Sequence, residues 1–137
     1  MDGYGKRVLV VEDDEAGRNM MADLLVDAGY NVHSASDGQE ALSEMKRRHF
    51  DVVITDYRMP RLDGMKFLSL SRIEWPDTPV VMVSGETPDI SEAAVRQGAY
   101  AWLHKPYEPT ILVEIVRDAA QASQESRSHN VSSPAGG

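Results

Sequence analysis

Four short runs of aliphatic, mostly β-branched residues punctuate the chain: Val8-Leu9-Val10-Val11, Val52-Val53-Ile54, Val80-Val81-Met82-Val83 and the weaker Ala101-Trp102-Leu103. Apolar runs this short, with no polar alternation, are how strands covered on both faces read, as in a parallel sheet. A fifth candidate, Asn31 to Ala35, is poorer in apolar residues and is predicted at an edge. Between the runs the spacing turns helical. Met20, Met21, Leu24, Leu25 and Ala28 form one stripe, and Ile111, Leu112, Ile115, Val116 and Ala119 repeat its spacing. Asp37, with Glu40 three residues on and Ala41, Leu42 and Met45 behind it, has the character of a capping box. Shorter helices are expected over Met65 to Ile73 and Asp89 to Gln97, the second closed by Gly98 as a C-cap. Strand and helix thus alternate over residues 6–122, which predicts an α/β fold with a doubly wound parallel sheet and helices on both faces.

With 137 residues, 42% hydrophobic and 26% charged, the chain has the balance of one soluble domain with a single core. Lys and Arg number 14 against 22 Asp and Glu, and the net charge of −8 argues against nucleic acid as a direct ligand of this segment. The absence of cysteine excludes disulfides and thiolate zinc sites. The first apolar run is shorter than the roughly 7 to 15 residues of a secretory signal, and nothing approaches the ~20 residues of a membrane span. A cytoplasmic location without membrane contact is therefore expected. From Ser123 onward the composition shifts to "SQESRSHNVSSPAGG", with Val131 as its one large apolar residue. So little apolar surface does not offset ordering entropy, and residues 123–137 are expected to be a flexible Ser/Gly-rich tail or the start of a linker.

The chemistry lies in the residues just past the strand ends. Glu12 and Asp13 come after the first strand, Asp56 after the third, Ser84 after the fourth and Lys105 after the last. Open α/β sheets gather ligands outside the carboxyl ends of their strands, so these residues should converge on one rim. Carboxylates crowded beside a buried strand raise one another's pKa unless a cation lies among them. A hard divalent ion with oxygen ligands, Mg²⁺, is the economical choice. Asp14 and Glu15 suit the N-terminus of the following helix instead. The four histidines, His33, His49, His104 and His129, have no ligand spacing and read as surface or packing residues.

The segments "VVEDD", "VVITDYRMPRLDG", "VVMVSGE" and "GAYAWLHKPY" resemble, in order and spacing, the receiver domain of two-component response regulators. The resemblance covers residues 6–122 and implies a flavodoxin-like fold of five parallel strands in the order 2-1-3-4-5 with five helices. It implies that Asp56 is the phosphoacceptor, that Asp13 and Asp56 ligate Mg²⁺ directly and Glu12 through water, and that the backbone carbonyl of Arg58 completes the protein ligands. Lys105 is then expected to pair first with Asp56 and later with a phosphoryl oxygen, and Ser84 to donate its hydroxyl to that group. Trp102 stands where the family usually has Tyr or Phe as a rotating switch, a departure that leaves packing as the competing reading. Arg58 and Glu86 are expected to tune the phosphoryl lifetime as an ion pair. Gly64 is expected to supply a positive φ before the third helix, and Lys105–Pro106 to be a cis peptide.

The implied function is a signalling switch that takes a phosphoryl group from a sensor histidine kinase or phosphotransfer protein. It would change the surface of helix four, strand five and helix five toward a downstream target, and phosphorylation-dependent homodimerisation is open. The alternative is the receiver part of a longer transcriptional regulator whose output domain lies beyond residue 137. A third reading, a Mg²⁺-dependent phosphatase with an aspartyl nucleophile, requires an Asp two residues after the nucleophile, where this chain has Arg58. No GxxxxGK[ST] or GxGxxG phosphate loop occurs. Beyond self-phosphorylation and self-dephosphorylation, no enzymatic activity is expected.

Overall fold

The computed structural model describes residues 5–59, 61–85 and 88–132, with backbone only for 124 and 126–132. Five strands alternate with five helices: β1 (Arg7–Val11), α1 (Glu15–Asp27), β2 (Asn31–Ala35), α2 (Gly38–Arg47), β3 (Val52–Asp56), α3 (Gly64–Glu74), β4 (Val80–Ser84), α4 (Pro88–Arg96), β5 (Ala101–His104) and α5 (Pro109–Ser132). The strands form one sheet in the order β2-β1-β3-β4-β5, every neighbouring pair parallel. This is the doubly wound architecture expected. All three central strands are buried almost throughout, whereas β2 is buried only at Ala35.

Side chains alternate across the sheet and sort into two cores. Val8, Val10, Val52, Ile54, Val81 and Val83 face α1 and α5, meeting Met21, Leu25, Leu112, Val116, Ala119 and Ala120. Leu9, Val11, Val53, Val80 and Met82 face the other way, toward Ala41 and Met45 of α2, Phe67 and Leu68 of α3, and Ala94 of α4. Of the two amphipathic stripes, one member of each leading pair points away. Met20 and Ile111 are exposed while Met21 and Leu112 are buried, because a face centred on one of two consecutive residues turns the other outward.

Helix starts carry the caps their sequences promise. The side chains of Asp14, Asp37 and Asp63 accept hydrogen bonds from the main chain of Gly17, Glu40 and Lys66. Glu40 reaches back to the Ser36 amide and hydroxyl. Gly98, just past α4, has φ +113° and fits the C-cap.

Two expectations need correction. Gly64 is not in the left-handed region; it begins α3, and the positive φ of that turn belongs to Arg61 at +70°. Glycine is needed at 64 for space. A Cβ there would lie 2.7 Å from the Asp56 carbonyl oxygen, the Tyr57 Cα and the Met82 Cε. Second, α5 does not end at 122 but continues through Ser132. Composition misjudged this stretch because extending a helix that already exists needs no new nucleus. No Pro or Gly interrupts residues 110–132, Ser123 is buried, and Gln121 Nε2 donates to Glu125 Oε1 at 3.3 Å. Residues 133–137 lie outside the described residues.

Candidate functional site at the carboxyl rim of the sheet

β1 and β3 are neighbours, so the residues leaving their ends leave side by side. One carboxylate oxygen from each of Glu12, Asp13 and Asp56 lies within 4.8 Å of the others. Glu12 is only 2% exposed; its main-chain amide donates to Ala35, and its Oε2 accepts from the Asp14 amide at 3.3 Å. Asp13 is exposed at the rim and Asp56, the last residue of β3, is half-buried. Arg58 donates its main-chain amide to Asp56 Oδ1 at 3.1 Å, so the loop after the strand folds back over the carboxylate.

Lys105 enters from the far side of the sheet. Its Nζ donates to Glu12 Oε1 at 2.7 Å and to Asp56 Oδ2 at 2.8 Å, bridging β1 and β3. Partial burial opposes the ammonium, but the hydrogen bonds to Asp56 and then Glu12, with their charges, outweigh it and push the Lys105 pKa up to about 12. Burial pushes the Glu12 carboxyl above the ordinary carboxylate range, against the Lys105 and Asp14 hydrogen bonds that favour its charge. A compact ammonium with three donors suits this bridging place. Its peptide to Pro106 is cis.

Ser84 ends β4, is buried, and pairs in register with His104; its carbonyl accepts from the Lys105 amide at 3.2 Å. The five strand-end residues named from the sequence, Glu12, Asp13, Asp56, Ser84 and Lys105, are thus brought to one rim. Trp102 sits apart, half-buried on β5 against the α2–α3–α4 core. Glu86 lies outside the described residues, so its pairing with Arg58 is not part of the geometry.

Sequence reasoning missed two participants. Arg18, on the second turn of α1, donates from Nη1 to the Glu12 carbonyl at 2.8 Å and pins the loop that carries Asp13. Tyr57 packs its ring 5.9 Å from Trp102. Neither has a spacing signal, since each contact joins different elements; only adjacency to Asp56 could have singled out Tyr57. Met20 also finds a reason for its exposure: with Met21, Pro106 and Tyr107 it lines a cavity of about 430 Å³ that reaches Glu12 and Lys105.

The rim can hold a hard cation and present one carboxylate, beside a lysine, to an electrophile. The chain belongs to the response regulator receiver domain family, whose sequence model matches residues 8–117. Among its relatives, the response regulator protein FleR of Pseudomonas aeruginosa is 36% identical over 111 residues, which is 80% of this chain and 24% of FleR. The probable transcriptional regulator ycf27 of Porphyridium aerugineum is 33% identical over 127 residues, 91% of this chain and 52% of ycf27. Chemotaxis response regulator CheY4 of Vibrio cholerae superposes with a TM-score of 0.78 at 35% identity, covering 83% of this chain and 98% of CheY4. NtrX from Brucella abortus, solved with ATP, reaches 0.85 at 31% identity over 90% of this chain and 29% of NtrX. The chain therefore spans about a quarter of the length of FleR and about half that of ycf27.

Proposed function

We propose that the chain is a phosphorylation-dependent signalling switch that takes a phosphoryl group onto Asp56 from a phosphohistidine of a sensor kinase or phosphotransfer protein. The observation that carries this reading is the Lys105 ammonium held between Asp56 and Glu12, within a triad of carboxylates. One Asp56 oxygen attacks phosphorus; the new O–P bond forms as the N–P bond breaks. The electron pair stays with the imidazole, which takes up a proton. Lys105 then exchanges its carboxylate partner for a phosphoryl oxygen, and the Ser84 hydroxyl donates to another. Such a transfer asks for alignment and charge stabilisation more than covalent work.

The donor set, three carboxylates with one oxygen each within 4.8 Å of the others, fits Mg²⁺. Asp13, Asp56 and the Arg58 carbonyl would hold it directly, with Glu12 through water, and it would supply positive charge to the transferring phosphoryl. Trp102 would report the change toward the α4–β5–α5 surface. Arg58 and Glu86 would set the lifetime, so Arg58→Ala should change the dephosphorylation rate. Residues 6–122 would serve as the receiver, with a protein target, an output domain or a second phosphorylated copy as partner. We take it to work in the cytoplasm, without binding nucleic acid itself; among the described residues no helix is long and apolar enough to cross a membrane.

One observation favours the second reading, in which this is the receiver part of a longer transcriptional regulator: the chain covers 24% of FleR and 52% of ycf27. Reading the gene beyond residue 137 decides it. The central test is intact mass after incubation with Mg²⁺ and acetyl phosphate. One added phosphoryl is expected on the wild type and none on Asp56→Asn; equal loading of both would overturn the assignment.

A further inference from the structure

Both β2 and β3 pair with β1, so the β2–α2 corner and the loop after Asp56 flank the strand end that carries Glu12 and Asp13. The corner supplies no carboxylate to the triad. It is nevertheless tied to both of its neighbours. On one side the Glu12 amide donates to the Ala35 carbonyl at 3.1 Å. On the other, Arg61 Nη1 lies 3.3 Å from Asp37 Oδ2, and the Gly38 main chain sits so close to Leu62 that a Cβ there would lie 3.0 Å from the Leu62 carbonyl oxygen.

The two partners of the ion pair are held unequally. Asp37 is 7% exposed, and its orientation is set because Oδ1 accepts from the Glu40 amide at 2.8 Å as the cap of α2. Arg61 is exposed and has φ +70°, a conformation that residues with a side chain rarely adopt. Backbone of that kind persists where its surroundings impose it. Here the surroundings are the contact to Asp37 and, through Leu62, the contact to Gly38. From this clamp the loop runs back to the rim. The Thr55 hydroxyl donates to Met59 Sδ at 3.4 Å, the Tyr57 carbonyl accepts from the Gly64 amide at 2.8 Å, and the Arg58 amide donates to Asp56 Oδ1 at 3.1 Å.

We propose that Asp37 and Arg61 are positioning residues for the cation site: their ion pair sets the spacing between the acceptor loop, with Asp56 and Arg58, and the β1 end, with Glu12 and Asp13. It rests on the Mg²⁺ reading above. Neither residue touches the ion. Both act through the β2–α2 corner, which the Glu12 amide anchors on one side and Arg61 on the other.

The test is titration of the full chain with MgCl₂ by calorimetry, and the sign of the effect decides it. Coulomb's law alone says that removing a cation from the rim tightens Mg²⁺ binding. The positioning role says the opposite: Arg61→Gln should weaken it by about two- to fivefold, the range of a partly exposed ion pair. An unchanged or smaller Kd overturns the proposal. Arg61→Lys should restore most of the affinity, and a Kd as poor as that of Arg61→Gln counts against it. Asp37→Asn keeps an oxygen for the α2 cap but loses the pair, and combining it with Arg61→Gln should weaken binding no further than the worse single change; independent, multiplying effects overturn the proposal. Two measurements without metal separate positioning from a general loss of structure. Hydrogen exchange at the Arg58 amide should speed up in Arg61→Gln, while the urea midpoint stays near that of the wild type. An unchanged exchange rate, or a midpoint that falls in step with the affinity, overturns the proposal as well. Failure of the wild type to bind Mg²⁺ is a different result, since it removes the rim site itself and the proposal with it.

Discussion

The α1–α5 face of the sheet and the α4 end of the opposite face are built to different standards. On the α1–α5 side the helices bury Met21, Leu25, Leu112, Val116, Ala119 and Ala120 against valines and an isoleucine, an aliphatic interface along the length of the strands. On the other side α4 buries Ala94 alone, with Val95 about half exposed, and the space toward the rim is filled by half-buried Tyr57, Met59, Met65 and Trp102. Apolar burial sets how much free energy a local opening costs, so the first face is a fixed reference and the α4 end of the second, unlike its α2 and α3 part where Met45, Phe67 and Leu68 are buried, can rearrange. The residues nearest the candidate acceptor belong to the second.

The sharpest way to break this comparison is truncation on each face. Leu112→Ala should cost about 2–5 kcal/mol in urea unfolding, as for a fully buried leucine, whereas Val95→Ala should stay within about 0.5 kcal/mol. Equal costs would mean that α4 is anchored as firmly as α5. Gly64→Ala comes next. Its methyl would meet main-chain atoms of Asp56 and Tyr57, so a loss of about 1–3 kcal/mol is expected. That variant should also load acetyl phosphate more slowly, because the acceptor loop must shift; an unchanged loading rate would place the adjustment elsewhere.

Mg²⁺ sharpens the same contrast by location. At ten times its Kd it should raise unfolding free energy by about 1.4 kcal/mol. Added hydrogen-exchange protection should fall on the β1–α1 and β3–α3 loops rather than on α5. Protection spread evenly over both faces would argue against a rim site. The smallest effect concerns His33 on β2, edge-on to Phe50 of the second face at 5.6 Å, with Arg48 Nη1 3.3 Å from Nδ1. Burial, then the Arg48 and Arg7 charges, hold its pKa below the ordinary 6.5. The unfolded chain therefore takes up the proton first, and the stabilisation present above pH 6.5 is lost as pH falls through the lower folded value. His33→Gln should lose less stability than the wild type over that window; parallel pH profiles would remove His33 as a source.

The strands were legible because residues such as Val52, Val53 and Ile54 are buried on both faces, and that condition writes itself as an unbroken apolar run. The rim was legible for a related reason, since parallel strands deliver Glu12, Asp13, Asp56, Ser84 and Lys105 to the same end. What stayed hidden is contact between elements. Arg18 reaches the Glu12 carbonyl six residues back across the β1–α1 turn, a separation that is neither a helix nor a strand period, and Tyr57 meets Trp102 only because β3 and β5 flank β4. Gly64 was singled out for a property glycine often serves, when the sequence could not reveal that Met82 Cε and the Asp56 carbonyl crowd the site. The end of α5 was misplaced because composition weighs residues one at a time, whereas a helix already begun continues until something stops it.

That continuation has a mechanical consequence. A helix of 24 residues is about 36 Å long, and with no break at residue 122 it has no hinge there. Pivoted at Pro109, each degree of tilt would sweep the Ser132 end through about 0.6 Å. Small rotations at the base of such a lever become ångström-scale strokes at its tip.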